Sequence, residues 1–272
     1  MYLDDKIHDQ DWEKIQEIYY DNGKHFRSIF INKEDILFKW LDCDYILFKR
    51  KDKKILQYGN ISGFLYAAFF STITTVILIE SDYVVLHGSL IDYKGKKIAV
   101  SGFSGAGKTT ISSHLLLEGA KLISDDIIAI RKYDKKIFSG PPGIRIEEKS
   151  NLFNELSLCL DEDDKKRGVL KERADLFSST KFNKIDFFFH LNINNDSEEI
   201  TNFVIQDFLK VQCLLSEIYC KYLFTGLYDK TKIIEMFPTI TDIAKKLPML
   251  EIMRYPDSDP NEIVRIIKEN IK

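Results

Sequence analysis

The sequence is poor in cysteine, proline and tryptophan: of 272 residues, four are Cys, six are Pro and two are Trp. Cys43, Cys159, Cys213 and Cys220 form no C-x-x-C pair, and no histidine stands beside them at metal-ligand spacing. That pattern excludes a zinc module or a disulfide scaffold and predicts reduced thiols in a cytoplasmic protein. A large excess of one charge is also lacking. A formal net charge of -3 offers no general basic surface for gripping nucleic acid. The strongest basic cluster, Lys49-Arg50-Lys51-Asp52-Lys53-Lys54, falls where a hairpin turn is predicted. No nucleic-acid partner is therefore expected. The start, Met1 to Lys6, is polar and acidic, so no secretory signal is expected. Gly63 to Ile79 is free of charge and almost long enough to cross a bilayer. It holds Ser71, Thr72, Thr74 and Thr75 and lacks basic flanks. It predicts a buried helix running into a strand, with no membrane association.

What is present is a globular composition, 44% hydrophobic and 30% charged. The length suits one large or two modest domains. Residues 1–80 predict a small β-rich α+β subdomain. Its strands are Ile36 to Leu41, Tyr45 to Lys49 and Lys54 to Tyr58, and an apolar helix over 61–73 follows. Residues 81–272 predict a second, α/β domain. Tyr83 to His87 and Ser89 to Tyr93 read as strand segments, and Lys97 to Ser101 as a buried strand. A glycine-rich loop comes next, then a helix over Lys108 to Glu118 stopped by Gly119, then a strand over Lys121 to Ser124. That order predicts a parallel crossover unit. Residues 147–180 are weakly patterned. Ile185 to Ile193 predicts a strand, Phe203 to Gly226 a packed helix, Leu250 to Met253 a last strand and Asn261 to Ile271 a closing helix.

The loop is the informative motif. Gly102-Phe103-Ser104-Gly105-Ala106-Gly107-Lys108-Thr109 fits G-x-x-x-x-G-K-[ST] at every fixed position. Glycines let successive backbone N–H groups turn inward as an anion nest, and the helix N-terminus adds partial positive charge. Lys108 is suited to reach the β- and γ-phosphates of ATP, and the Thr109 hydroxyl to bind Mg²⁺. Gly102, Ser104, Gly105, Ala106, Gly107, Lys108, Thr109 and Thr110 are thus the expected nucleotide-binding residues. Asp125 and Asp126 follow at the end of the next strand. Two adjacent acids beside a triphosphate repel it unless a cation intervenes. One carboxylate is therefore expected to hold Mg²⁺, and the other to take the proton of an attacking hydroxyl.

The stretch from Leu86-His87-Gly88-Ser89 through Gly102–Thr110 to Ile123-Ser124-Asp125-Asp126 resembles the catalytic domain of HPr kinase/phosphorylase. More distantly it is similar to the nucleotide site of phosphoenolpyruvate carboxykinases. The resemblance covers roughly residues 84–146, and the tail from Leu250 more loosely. It implies a P-loop kinase domain of the HPr kinase/phosphoenolpyruvate carboxykinase type, with ATP and Mg²⁺. It also implies His87 beside the phosphates, Asp125 as acid/base and Asp126 in the metal site. HPr kinases carry a longer N-terminal domain and an EIRGLG-like signature. Here Phe138-Ser139-Gly140-Pro141-Pro142-Gly143-Ile144-Arg145-Ile146 stands instead, closer to the HPr-kinase-like enzymes that phosphorylate a serine of lasso-peptide precursors. The expected acceptor is therefore a serine hydroxyl of a peptide or protein other than HPr. Arg145 is a candidate for stabilising the transferring phosphoryl group, and Arg173 a weaker one. A kinase of a small hydroxyl metabolite such as free serine, and a non-catalytic nucleotide-binding regulator, are the alternatives. A homo-oligomer is left open.

Overall fold

The computed structural model describes residues 12–19, 25–40, 44–58, 72–140, 144, 146, 150–156, 159–160, 168–169, 184–221, 227–228 and 230–271. The chain divides into two compact units. The first takes Met1–Phe69 and Cys220–Ile233, and the second takes Phe70–Tyr219 and Ile234–Lys272.

The first unit is built on an antiparallel sheet whose strands follow chain order: β1 (Glu13–Tyr19), β2 (His25–Ile31), β3 (Asp35–Trp40), β4 (Asp44–Lys49) and β5 (Lys54–Tyr58). Ile29, Ile36, Phe38, Ile46 and Phe48 are buried. In β4 the burial alternates, as a sheet with one covered face requires. The basic cluster after Lys49 is the β4–β5 turn, as its composition predicts. The first two strands carry no pattern strong enough to have been read from sequence.

The second unit is mixed α/β. Helix α1 (Thr74–Glu80) opens it, and β6 (Tyr83–Tyr93) follows. The sequence predicts a strand where α1 lies, because Thr, Val and Ile favour strands. Instead Thr75, Val76, Leu78 and Ile79 are all buried on a helix, so packing overrides propensity. The expected helix over 61–73 falls almost wholly outside the described residues. Among those described, no helix is long and apolar enough to cross a membrane.

The remaining elements are β7 (Lys96–Gly102), α2 (Lys108–Leu117), β8 (Lys121–Ser124), β9 (Ile127–Arg131), β10 (Ile137–Phe138), α3 (Asn151–Glu155), β11 (Cys159–Leu160), β12 (Gly168–Val169), β13 (Phe187–Ile193), β14 (Thr201–Val204), α4 (Asp207–Ser216), α5 (Lys230–Lys246), β15 (Met249–Arg254) and α6 (Pro260–Asn270). The main sheet runs β10-β9-β6-β7-β13-β15-β14, with β8 also paired to β6. Strands β7, β13 and β15 are parallel; β6 and β14 run against them. The region Phe203 to Gly226, read as one helix, divides into β14 and the shorter α4.

One face of the sheet is closed by α2 and α6. Ile98, Val100, Leu122, Phe189, Leu191 and Ile252 meet Ile111 and Leu115 of α2 and Ile263, Val264 and Ile267 of α6. Helix α6 starts on Pro260, with Asp259 accepting from the Asn261 amide as its N-cap. Strand alternation puts Ser101, His190 and Glu251 on the opposite face, side by side in register.

Candidate functional site

Strand β7 delivers the chain into the Gly102–Thr109 loop. Gly102, Gly105 and Gly107 take positive φ angles of 142°, 83° and 95°. At Gly102 a side chain is also excluded by space, because a Cβ would lie 2.3 Å from Leu191 O. Gly107 is the N-cap of α2 in the left-handed region, and no side chain caps that helix end. The first-turn N–H groups, with Thr109 and Thr110 half-buried among them, form an anion-attracting terminus. Phe103, Ser104 and Gly105 are exposed, whereas Ala106 is buried.

Lys108 is only 8% exposed. Its ammonium donates to Gly102 O at 2.9 Å and Phe103 O at 3.0 Å. Burial pushes its pKa down, and the carboxylates of Glu217, Asp126 and Asp125 act in the opposite direction. The motif lysine and the aspartate pair therefore share one electrostatic neighbourhood.

The aspartates follow the end of β8, as their sequence context suggests, and a further strand, β9, starts directly after them. Strands β8 and β9 both pair antiparallel with β6, β8 over Leu90–Asp92 and β9 over Tyr83–His87. Asp125-Asp126 is the break between these two pairings, opposite Gly88-Ser89. Asp126 adopts φ 65°, a left-handed value that Asp tolerates better than most residues. The Gly88 N–H donates to Asp126 O at 3.3 Å, and the Ser89 hydroxyl donates to Asp125 Oδ1 at 2.5 Å. Such breaks re-aim side chains beside binding sites. Because β6 lies between β7 and β8, the two strands of the expected crossover run parallel without being neighbours. The register still sets the aspartates level with Ser101 and the start of the loop.

His87 joins the group from β6. Burial lowers its pKa first, Lys108 lowers it further and Asp126 opposes both. Its ring lies 5.2 Å from that of Tyr219. The structure thus brings together His87, Lys108, Asp125 and Asp126 beside the glycine loop. Arg145 and Arg173 lie outside the described residues.

Two contributors escaped the sequence reading. Glu217, 3% exposed, follows α4. Its Oε2 accepts the Gly102 N–H at 3.3 Å, and its Oε1 lies 3.7 Å from His190 Nδ1. Its backbone carbonyl accepts the His87 N–H at 2.7 Å, beside the bridge between Leu86 and Ile218. His190 Nδ1 in turn lies 3.1 Å from the Ser101 hydroxyl. Arg254, at the end of β15, donates to two carbonyls of the loop. No local motif marks either residue, because each reaches the site across more than a hundred positions of chain.

On the His190 face, a cavity of about 300 Å³ is lined by His190, Phe203, Leu209, Gln212, Ser216 and Glu251. Among the described residues, no group of three or more His, Cys, Asp or Glu side chains is placed to hold a metal alone. The hydroxyl of Thr109 and the carboxylates of Asp125 and Asp126 are hard oxygen donors. Such a sparse set fits Mg²⁺, which keeps waters and shares phosphate oxygens.

No family model matches the chain. Similarity to curated proteins is confined to a segment. Over 61 residues the chain is 39% identical to the HPr kinase/phosphorylase of Clostridium botulinum (strain Eklund 17B / Type B), covering 22% of this chain and 20% of that protein. Over 84 residues it is 34% identical to the HPr kinase/phosphorylase of Mycoplasmopsis pulmonis (strain UAB CTIP), covering 29% of this chain and 27% of that protein. The chain thus spans about a fifth to a quarter of the length of the curated relatives it matches. A solved Hpr(Ser) kinase/phosphatase from Coxiella burnetii aligns with 68% of this chain and 95% of its own. Its TM-score is 0.36 at 10% identity, too low for residue-level inference. Over the matched segment this chain is HPr-kinase-like.

Proposed function

We propose that the protein is an ATP- and Mg²⁺-dependent kinase that transfers the γ-phosphoryl group to a serine-type hydroxyl of a peptide or protein. The observation that carries this reading is the convergence of His87, Lys108 and Asp125-Asp126 beside the Gly102–Thr109 loop. In this reading residues 81–272 are a P-loop catalytic domain of the HPr kinase/phosphoenolpyruvate carboxykinase type, and residues 1–80 an accessory subdomain.

The loop amides and the α2 N-terminus bind the phosphates, and Lys108 moves from Gly102 O and Phe103 O to the β/γ-phosphates. Asp125, held by Ser89, orients the acceptor hydroxyl and takes its proton. His87, kept neutral by burial, hydrogen-bonds at the reacting phosphoryl group without adding charge. Thr109 and Asp126 would hold Mg²⁺, which neutralises phosphate charge when bound. Catalysis by such a site is mostly positioning and charge compensation.

The test measures ATP binding by calorimetry and transfer of radiolabelled γ-phosphate to serine-containing peptides and to free serine. Asp125→Asn should keep ATP binding and lose transfer by roughly a hundredfold or more. Transfer to free serine alone would make the protein a metabolite kinase. Binding without transfer to any acceptor, or full transfer by Asp125→Asn, would overturn the assignment.

A further inference from the structure

The carbonyls of the glycine loop converge on one side chain. Arg254 Nε donates to Ala106 O at 2.9 Å, and Nη2 to Gly105 O at 3.2 Å. Nη1 donates to Tyr255 O at 3.0 Å and Pro256 O at 2.8 Å, fixing the guanidinium to the turn after β15. The same group lies against Gly107, where a Cβ would meet Nη2, Nε and Cζ at 3.5, 3.6 and 3.7 Å.

This arrangement has a direct consequence for phosphate binding. In a planar trans peptide, the C=O and the following N–H point in opposite directions. Amides that face an anion therefore need carbonyls that face away, and those carbonyls need donors. The peptide at stake is Ala106–Gly107, because the N–H of the Gly105–Ala106 peptide already donates to Phe103 O at 3.0 Å and closes a turn within the loop. Ser104 and Gly105 are exposed and add little packing of their own, and the Phe103 side chain is anchored by the edge-on contact of its ring with His190 at 6.4 Å. A guanidinium fork is matched to two adjacent carbonyls as a single ammonium is not.

We infer that Arg254 is a positioning residue that locks the Gly102–Thr109 loop in its phosphate-cradling conformation by holding the Gly105 and Ala106 carbonyls outward. Its fixed positive charge behind the nest adds to the attraction of the phosphates. The inference rests on the reading of this loop as a phosphate site.

The test is calorimetric titration of the full chain with ATP and with ADP, below the melting temperature of every variant. Lys108→Ala checks the underlying reading, and Arg254→Gln and Arg254→Lys check the inference. Arg254→Gln should raise Kd for both nucleotides roughly ten- to a hundredfold, and Arg254→Lys by less. Amide hydrogen exchange over residues 103–107 should quicken in both Arg254 variants while β7 and α2 keep their protection. Millimolar guanidinium should restore part of the affinity of Arg254→Ala and leave wild type unchanged. Wild-type Kd values in Arg254→Gln, with binding lost in Lys108→Ala, would overturn the inference alone. Unchanged binding in Lys108→Ala would remove the phosphate site and the inference with it.

Discussion

Ser89 and Asp125 stand 36 positions apart in the chain, and the hydroxyl of one donates to Oδ1 of the other at 2.5 Å. The bond fixes one carboxylate oxygen and so selects a rotamer for the residue assigned as base. Ser89→Ala keeps the strand but releases that rotamer. The expected outcome is a fall in kcat of about tenfold with an unchanged Kd for ATP, because the loop is untouched. Steady-state phosphoryl transfer measured beside calorimetric ATP binding checks both halves. A loss of ATP affinity equal to the loss of kcat would contradict the assigned role.

Glu217 should separate charge from hydrogen bonding. Its Oε2 accepts the Gly102 amide and its carboxylate supports the charge on Lys108. Glu217→Gln keeps an acceptor for the amide and removes the charge. Glu217→Ala removes both and leaves a buried N–H without its partner, a penalty of about 1–3 kcal/mol. Urea unfolding should therefore place Glu217→Ala well below Glu217→Gln, and Glu217→Gln in turn below wild type, because it withdraws the support of the buried Lys108 charge. Equal destabilisation of the two variants would show that the amide bond is not what the carboxylate contributes.

Stability should fall on acidification before the bulk of the carboxylates titrate. His190 is buried, and that burial lowers its pKa below 6.5; Glu251 opposes the shift and Lys108 adds to it. His87 is lowered in the same sense. A histidine whose folded pKa is depressed binds fewer protons folded than unfolded, so its stabilising effect is complete above the unfolded value. It is lost as pH falls from about 6.5 through the folded value. Urea midpoints measured from pH 8 to pH 5 should decline over that window. The decline should be shallower in His190→Gln. A midpoint independent of pH there would refute the neutral assignment.

Much of the local architecture was legible in the sequence because its causes are local. Glycines at 102, 105 and 107 announce the loop, Gly119 stops α2 with φ 92°, and Asp259-Pro260 starts α6. The assembly of the site was less legible. Asp125-Asp126 is a break between β8 and β9 only because both strands pair with β6, which no local pattern records. Glu217 reaches Gly102 across 115 positions and Arg254 reaches Ala106 across 148. Each is an ordinary charged residue in its own neighbourhood. The Thr-Val-Ile run of α1 departs for another reason: burial of Thr75, Val76, Leu78 and Ile79 on one broad face of a short helix outweighs its strand propensity.

Gly88 combines the local and the non-local cause, and it gives a sharp test. Its φ is not in the left-handed region, so conformational freedom does not explain the glycine. Space does: a Cβ there would lie 2.6 Å from Val100 O and 2.7 Å from Ile128 Cδ1. Ile128 could rotate, but Val100 O is backbone in the central strand that leads into the glycine loop. Gly88→Ala must therefore part β6 from β7 by several tenths of an ångström, or strain both. Overpacking of this kind costs roughly 1–3 kcal/mol. Because Gly88 also donates its N–H to Asp126 O, the shift should be felt at the aspartates. Thermal unfolding should show a lower Tm for Gly88→Ala, and phosphoryl transfer at a temperature where the variant is folded should be slower than wild type. Gly95→Ala is the control, since a Cβ there meets nothing within 4 Å while φ 84° still imposes backbone strain. It should lose stability without losing transfer rate, and a parallel loss of rate in both variants would refute the link from Gly88 to the aspartate pair.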